Sequence, residues 1–293
     1  MMEMTLEELF RQGKASLERA GIQEARLDAW LLLEYVTGKN RAYYFAHQEE
    51  KVPEKQICIY EDMIRRRSRH IPLQQLTHQA FFMGHEFYVD ENVLIPRQDT
   101  EVLVEEALNI LKNTENPQIL DMCTGSGCIL ISLLLEITGA CGCGVDLSEK
   151  ALQVAEKNSE KLHIKDKAYF VKSDLFSAVD SACKCGKIKP VFDMIISNPP
   201  YIPTEEIETL MEEVRLHDPY MALDGREDGL YFYRAITKEA MKHMTPAGWL
   251  LYETGSSQGK DVKAIMEQAG FIDIQIRQDL AGLDRVVLGQ KPI

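Results

Sequence analysis

The sequence predicts an α/β fold, a mostly parallel sheet with helices on both faces, preceded by a small helical domain. Three observations predict it. From residue 118 onward, short apolar runs rich in β-branched residues alternate with amphipathic stretches at helical spacing. A loop of small residues, Asp121-Met122-Cys123-Thr124-Gly125-Ser126-Gly127, joins the first such run to the first such stretch. Ahead of this, residues 3–70 carry helical spacing, with proline only at Pro53 before Pro72.

The helical part opens on Thr5 and Glu8, a T-x-x-E capping-box pattern followed by apolar Leu9 and Phe10. A second helix is predicted over 25–36, with Leu27, Trp30, Leu31 and Leu33 at helical spacing and Gly38 and Asn40 at its end. Ile57, Tyr60, Met63 and Ile64 mark a third, running into Arg65-Arg66-Arg67-Ser68-Arg69. On a helix such a run is most often a solvated face. Residues 73–95 change character: Ala80-Phe81-Phe82-Met83-Gly84-His85-Glu86-Phe87 is aromatic and β-prone around a glycine, and reads as a hairpin. The expected division is a helical domain over 1–72, a β-hairpin linker over 73–95 and an α/β domain over 96–293. In that last domain strands are predicted over 118–123, 141–146, 168–172, 191–197, 249–253, 271–276 and 285–288. Helices are predicted over 127–137, 148–162, 230–244 and 258–268.

Composition narrows the function classes. The chain has 293 residues and a formal net charge of -13. The first 75 residues hold 12 Lys+Arg and 12 Asp+Glu, so the whole excess of acid lies in residues 76–293. An acidic catalytic part gains little from phosphate neutralisation, so no direct nucleic-acid partner is expected. Seven cysteines include the pairs Cys141/Cys143 and Cys183/Cys185, both C-x-C and neither with the C-x-x-C spacing of zinc or redox sites. No metal is expected, and free thiols fit a reducing cytosol. The N-terminus lacks a basic region followed by an apolar core, and the longest apolar run falls far short of the roughly 20 residues that span a bilayer. A cytoplasmic protein without membrane association is expected.

Candidate site residues follow the strands. In the loop holding Cys123, Thr124, Gly125, Ser126 and Gly127, small side chains let the backbone approach a ligand, and the following helix offers free N–H groups. A ligand-free tight turn has the same composition. The dinucleotide fingerprint fails, because Leu130 stands where the third glycine belongs. Asp146 closes the next strand, 19 residues after Gly127. An acid there binds ribose hydroxyls or caps the following helix. Asp174 and Leu175 follow the third strand, where an acid can accept from an exocyclic amine and the leucine can pack on a flat ring.

The fourth segment is Asn198-Pro199-Pro200-Tyr201, after the strand Phe192-Asp193-Met194-Ile195-Ile196-Ser197. Two prolines fix φ and carry no N–H, so neighbouring carbonyls can be held in one direction. If Asn198 Oδ1 and the Pro199 carbonyl accept the two protons of an amide-type NH2, the nitrogen is oriented and made richer in electrons. Its lone pair can then face an activated methyl group. Such catalysis is positioning and electrostatics. Tyr201 offers a flat wall for a planar group.

At this point the chain resembles a family. Asn198-Pro199-Pro200-Tyr201 is similar to the fourth motif of amino-directed, S-adenosylmethionine-dependent methyltransferases, whose acceptors include adenine and protein glutamine. The segments Pro72-Leu73-Gln74-Gln75-Leu76-Thr77, Phe82-Met83-Gly84-His85-Glu86-Phe87 and Val93-Leu94-Ile95-Pro96-Arg97-Gln98-Asp99-Thr100-Glu101 resemble the release factor glutamine methyltransferases (PrmC/HemK family). So do His217-Asp218-Pro219-Tyr220-Met221-Ala222-Leu223-Asp224-Gly225 and Gly282-Leu283-Asp284-Arg285-Val286-Val287. The resemblance implies a Rossmann-like class I methyltransferase sheet of seven strands behind a helical substrate-recognition domain and a hairpin linker. It implies S-adenosyl-L-methionine as cofactor and class 1 peptide chain release factors as partners. The reaction implied is methylation of N5 of the glutamine in their Gly-Gly-Gln motif, supporting translation termination. The alternative is an adenine-N6 methyltransferase acting on RNA or DNA. By the same resemblance Asn198, Pro199, Pro200 and Tyr201 hold the glutamine, and residues 123–127, Asp146 and Leu175 line the cofactor. Arg97 and Thr100 lie near the mouth of its site. Three departures stand out: Cys123 replaces the family's first loop glycine, Gln98 and Asp99 replace proline and glutamate after Arg97, and a cysteine- and lysine-containing insertion occupies 181–189.

Overall fold

The computed structural model of the chain describes residues 3–184 and 191–293. They form two compact units, Met1–Gln79 with Met211–His217, and Ala80–Leu210 with Asp218–Ile293.

The first unit runs β1 (Met4–Thr5), α1 (Leu6–Arg19), α2 (Ala25–Thr37), α3 (Arg41–Ala46), β2 (Lys51–Val52), α4 (Glu54–Arg67) and α5 (Leu73–Thr77). The Thr5 capping box forms as the sequence indicates: Glu8 N donates to Thr5 Oγ1 at 3.2 Å and Thr5 N to Glu8 Oε2 at 2.8 Å. Such a cap is worth about 1 kcal/mol. Gly38, at φ 69°, ends α2 in the left-handed region, whereas Asn40 starts the next helix by accepting from Tyr43 N at 2.9 Å. Leu9, Leu17, Leu32, Leu33, Ile57 and Tyr60 make the core, each fully buried. Burying a side chain of that size contributes about 1.5–3 kcal/mol. Arg67 departs from the solvated face expected of its arginine run. It is buried, and its Nε donates to Asp28 Oδ2 at 2.7 Å and its Nη2 to Glu213 Oε2 at 2.8 Å.

The second unit begins with a hairpin of β3 (Ala80–Phe82) and β4 (His85–Phe87). Met83 (φ 50°) and Gly84 (φ 75°) form its two-residue turn, with positive φ at both central positions as the twist of a tight hairpin requires. The hairpin is shorter than the expected 73–95, because Leu73–Thr77 is helical and the chain from 88 to 97 is irregular. Then come α6 (Glu101–Leu111), β5 (Gln118–Met122), α7 (Cys128–Glu136), β6 (Cys141–Asp146), α8 (Glu149–Lys161), β7 (Ala168–Lys172), α9 (Val179–Lys184) and β8 (Phe192–Ser197). After α10 (Glu212–His217), which belongs to the first unit, follow α11 (Tyr220–Leu223), α12 (Tyr231–Ala240), β9 (Met244–Glu253), α13 (Gly259–Gln268), β10 (Ile272–Gln278) and β11 (Asp284–Gln290). The insertion at 181–189 begins within α9, and Cys185 and the positions after it up to 190 lie outside the described residues.

Seven strands make one sheet in the order β10-β11-β9-β8-β5-β6-β7. All pairs are parallel except those of β11, which runs antiparallel to both neighbours. This is the mixed, Rossmann-like seven-stranded sheet that the motifs imply. Ile119, Met194, Ile196, Leu251 and Val286 fill one face, and Leu120, Ile195, Leu250 and Val287 the other. β5 is flanked by β6 and β8, so the chain leaves it in one direction and returns on its other side. A crevice opens at the carboxyl ends of strands at such a reversal. Among the described residues, no helix is long and apolar enough to cross a membrane.

Candidate active site

A cavity of about 220 Å³ lies at the carboxyl ends of β5, β6, β7 and β8. Its wall includes Cys123, Thr124, Gly125, Ser126, Asp146, Asp174, Leu175, Asn198 and Pro200. Of the predicted site residues, Gly127, Pro199 and Tyr201 are not on that wall.

The glycine loop is held by its own backbone. Thr124 N donates to the Val145 carbonyl at 3.0 Å, and Gly127 N to the Thr124 carbonyl at 2.8 Å. Gly127 serves packing: at φ 79°, an added Cβ would meet Ile131 Cδ1 at 3.0 Å and Ala155 Cβ at 3.1 Å. Cys123 sits at φ 59°, a left-handed conformation that costs a side-chain-bearing residue about 1–2 kcal/mol. That strain is the physical reason a glycine suits the position. Beneath the loop Asp121 is fully buried, accepts the Thr124 hydroxyl at 2.6 Å and leaves Oδ1 without a hydrogen-bond partner. Burial pushes its carboxyl up to about 7.

Asp146 performs structural work in this cavity. Its Oδ2 accepts Gly125 N at 3.0 Å, and its Oδ1 accepts Ser148 N at 2.8 Å, tying the loop to the start of α8. Each oxygen keeps a further lone pair, so the carboxylate can still accept from a hydroxyl in the cavity. Burial raises its pKa, and the backbone N–H groups oppose the rise. Ser148 caps α8 as expected, accepting Ala151 N at 3.2 Å. Beyond β7, the Ser173 hydroxyl donates to the Leu175 carbonyl at 2.5 Å and holds Leu175 at φ 48° against the cavity, with Asp174 exposed beside it.

Asn198 follows β8 directly and is half-buried, while Pro199 and Pro200 are buried. Asn198 Nδ2 donates to Thr100 Oγ1 at 3.4 Å. Tyr201 takes a different place from the flat wall its motif suggested. Its half-buried ring packs against the hydrophobic core, its hydroxyl reaches Glu253 Oε1 at 3.4 Å, and its carbonyl accepts Gln258 Nε2 at 2.9 Å. The turn is locked from behind by residues 223–225: Ile202 N donates to the Leu223 carbonyl at 3.1 Å and Gly225 N to the Ile202 carbonyl at 2.8 Å. Gly225 allows this approach, since a Cβ there would stand 2.7 Å from the Tyr201 carbonyl carbon.

Arg97 and Thr100, expected near the mouth of the site, and residues outside the predicted set complete it. Arg97, on the wall, donates to the buried Asp218 at 2.7 Å. Thr100, Met221, Arg226 and Phe232 also line the cavity. Glu253, at the end of β9, is buried, and burial pushes its carboxyl up to about 7 against the pull of Thr100 and Arg285. Its signal was in the sequence, an acid closing a buried strand, the same signature as Asp146. Among the described residues no group of three or more His, Cys, Asp and Glu is placed to hold a metal ion.

Comparison with known proteins places this geometry. Residues 8–77 match the PrmC N-terminal domain, and residues 98–218 match the methyltransferase small domain. A release factor glutamine methyltransferase of Clostridium acetobutylicum is 37% identical over 269 residues, covering 89% of this chain and 90% of that protein. One of Caulobacter vibrioides is 36% identical, covering 99% of this chain and 98% of that protein. In fold, the chain is similar to the 16S rRNA N2 G1207 methyltransferase of T. thermophilus, with a TM-score of 0.50 and 17% identity over 73% of this chain and 49% of that one.

Proposed function

The chain belongs to the release factor glutamine methyltransferase family, and from that premise we propose that it methylates N5 of the glutamine in the Gly-Gly-Gln motif of class 1 peptide chain release factors. The observation that carries this reading is Asn198 on the wall of the cavity that also holds the glycine loop and Asp146. An acceptor-bearing side chain and a ligand-cradling loop thereby face one space.

The cofactor is S-adenosyl-L-methionine, which when bound supplies an electrophilic methyl group on a positively charged sulfur. The residues present fit it. Asp121, with a buried oxygen lacking a partner, lies beneath the loop, and Asp146 and Asp174 border the cavity, so the local charge suits a cation. Residues 123–126 offer their backbone, with Gly127 shaping the turn. Asp146 would accept from ribose hydroxyls, Leu175 would pack on the adenine and Asp174 would accept from its exocyclic amine.

The residues of this chain then position the acceptor. Asn198 Oδ1 and the Pro199 carbonyl accept the two protons of the glutamine NH2. This shifts electron density onto nitrogen and aligns its lone pair for displacement. With the cofactor bound, the nitrogen would form the new N–C bond as the sulfur–methyl bond breaks and its electron pair returns to sulfur, leaving a neutral thioether, and the nitrogen would then shed one proton to water. A strong base is unnecessary, and the rate gain comes from orientation and fixed dipoles. Pro199, Pro200 and Tyr201 act through rigidity: the prolines fix the turn, and Tyr201 anchors it to Glu253 and Gln258. The helical N-terminal region engages the release factor.

Incubation with a class 1 release factor and methyl-labelled S-adenosylmethionine tests this. Label on the Gly-Gly-Gln peptide is expected. Label on RNA or DNA adenine instead, or none on that peptide from an enzyme that binds the cofactor, would overturn it.

A further inference from the structure

The turn Asn198-Pro199-Pro200-Tyr201 holds two consecutive residues without an N–H, so neither proline can be gripped through a backbone donor of its own. Proline fixes φ but leaves ψ free, so the direction of the Pro199 carbonyl depends on how the two ends of the turn are held. The leading end is fixed by β8, where Ser197 pairs with Met122 and Tyr252, and the Ser197 hydroxyl donates to the Met122 carbonyl at 2.7 Å. The trailing end is the Tyr201 carbonyl. It is held by the side chain of Gln258, 57 positions away.

Gln258 is buried between β9 and α13. Its backbone is fixed first: its N–H donates to the Gly255 carbonyl at 3.0 Å, and its carbonyl accepts Val262 N at 3.0 Å. Its side-chain amide then makes three contacts. Oε1 accepts Gly255 N at 3.1 Å, while Nε2 donates to the Tyr201 carbonyl at 2.9 Å and reaches the Gly229 carbonyl at 3.5 Å. A backbone N–H only donates and a carbonyl only accepts, so one orientation of the amide satisfies the set. Flipped, it would place donor against donor and acceptor against acceptor. Glycines make the room. A Cβ on Gly229 would stand 2.3 Å from the Tyr201 carbonyl oxygen and 2.5 Å from Gln258 Nε2, and one on Gly255 would stand 2.9 Å from Gln258 Oε1.

We propose that Gln258 is a positioning residue for methyl transfer: its amide fixes the Tyr201 carbonyl, and through it the Pro199 carbonyl that accepts one proton of the acceptor NH2. This rests on the role given to Asn198 and Pro199 above. Gln258 is not on the cavity wall, so it acts on the reaction only through the turn. Without the clamp the prolines keep their φ, but the span regains freedom at ψ. The two acceptors then lose register with the two protons of the amide.

The test uses the full-length enzyme, a class 1 release factor and methyl-labelled S-adenosylmethionine, at a temperature below the onset of unfolding of every variant. Gln258→Met keeps the length of the side chain and removes both polar ends. Gln258→Glu keeps an acceptor for Gly255 N, but its second oxygen donates to the Tyr201 carbonyl only while the carboxyl is protonated. Burial raises the pKa of such a carboxyl, so the donor is present at low pH and lost as pH rises. Gln258→Met is expected to lower kcat by about tenfold to a hundredfold, with KM for the release factor and Kd for S-adenosylmethionine within about twofold of wild type. Gln258→Glu is expected to be faster than Gln258→Met near about pH 6, and its kcat relative to wild type to fall as the pH rises toward about 9. A Gln258→Met kcat within about twofold of wild type, an equal loss of cofactor affinity, or a Gln258→Glu enzyme as slow as Gln258→Met near about pH 6 would overturn the role. If Gln258→Met does not fold, the pH profile of Gln258→Glu relative to wild type decides alone. A ratio that falls with rising pH supports the role, and a ratio constant from about pH 6 to about pH 9 overturns it. Wild-type enzyme that leaves glutamine unmethylated would overturn the functional reading itself, whereas an active wild type with undiminished variants overturns only the positioning role.

Discussion

Asp28 in the helical unit and Asp121 and Glu253 in the sheet unit are buried in opposite ways. In the helical unit Asp28 is 6% exposed, and the guanidinium of Arg67, shared with Glu213, lies 2.7 Å from it. In the sheet unit Asp121 and Glu253 are 0% and 2% exposed, take neutral hydroxyls as donors, and each leaves one oxygen unpartnered. A buried charge facing a cation holds helices together. A buried carboxyl left incompletely satisfied costs stability, and it persists beneath or behind a cavity where it is needed. The contrast teaches that Asp28 serves the architecture of the helical unit, while Asp121 and Glu253 each keep one oxygen unpartnered at the edge of the site.

The contrast breaks if substitutions in the two regions have interchangeable effects. The largest expected effect is on turnover: Asn198→Ala should slow methyl transfer by about 100-fold to 1000-fold, with little change in melting temperature or cofactor affinity. Equal loss of cofactor affinity, read by calorimetric titration, would contradict its role. Next, Arg67→Met strands Asp28 and Glu213 and should destabilise the helical unit by about 3–5 kcal/mol, measured by denaturant unfolding. A change under about 1 kcal/mol would show that the pair behaves like a surface bridge.

The unpartnered acids should appear in the pH dependence of stability. Burial raises Asp121 from 3.8 to about 7, above its value in the unfolded chain. Below pH 4 it is protonated in both states and its contribution is fully present. As pH rises through 7 the folded protein has to ionise a buried group, and the contribution is lost. Glu253, raised from 4.5 to about 7, follows the same sign. Asp121→Asn should therefore flatten the fall in thermal stability of the ligand-free protein between about pH 4 and 7. A slope identical to wild type would contradict the burial argument. The smallest effect is expected from Cys123→Gly. Relief of the left-handed strain offsets the lost side-chain contact and the greater freedom of the unfolded chain. The net change in unfolding free energy should stay within about 1 kcal/mol.

Much of this architecture is legible from spacing. The strands β5, β6, β7 and β8 and the helices α7 and α8 fall where the pattern puts them, because the central strands are short continuous runs buried on both faces, α7 is a longer apolar run and α8 keeps one buried face. The parts that are not legible have local causes. β1 and β2 are two residues each, too short to show alternation. β9 begins at Met244 rather than near 249, because Thr245-Pro246-Ala247-Gly248 reads as a turn, while a register shift against β8 and Ala247 at φ 58° absorb the irregularity. The α-helix α12 stops at Ala240, and a 3-10 turn over Met241–His243 carries the chain to β9, where the predicted helix continued to 244. At the site, the glycine loop, Asp146, Leu175 and Asn198 could be read because each closes a strand. The contact of Asn198 with Thr100 could not, since it bridges 98 positions, nor could the seat of Tyr201 on Glu253, which bridges 52. Arg67 misled because a run of like charges says nothing about which member turns inward.

Mass mapping of a class 1 release factor after incubation with the enzyme and S-adenosylmethionine tests the central claim most directly. A single methyl group on the glutamine of the Gly-Gly-Gln motif, absent when Asn198→Ala replaces the wild type, is the expected result. A methyl group on any other residue, or an unmodified factor alongside methylated adenine in added RNA, would contradict it.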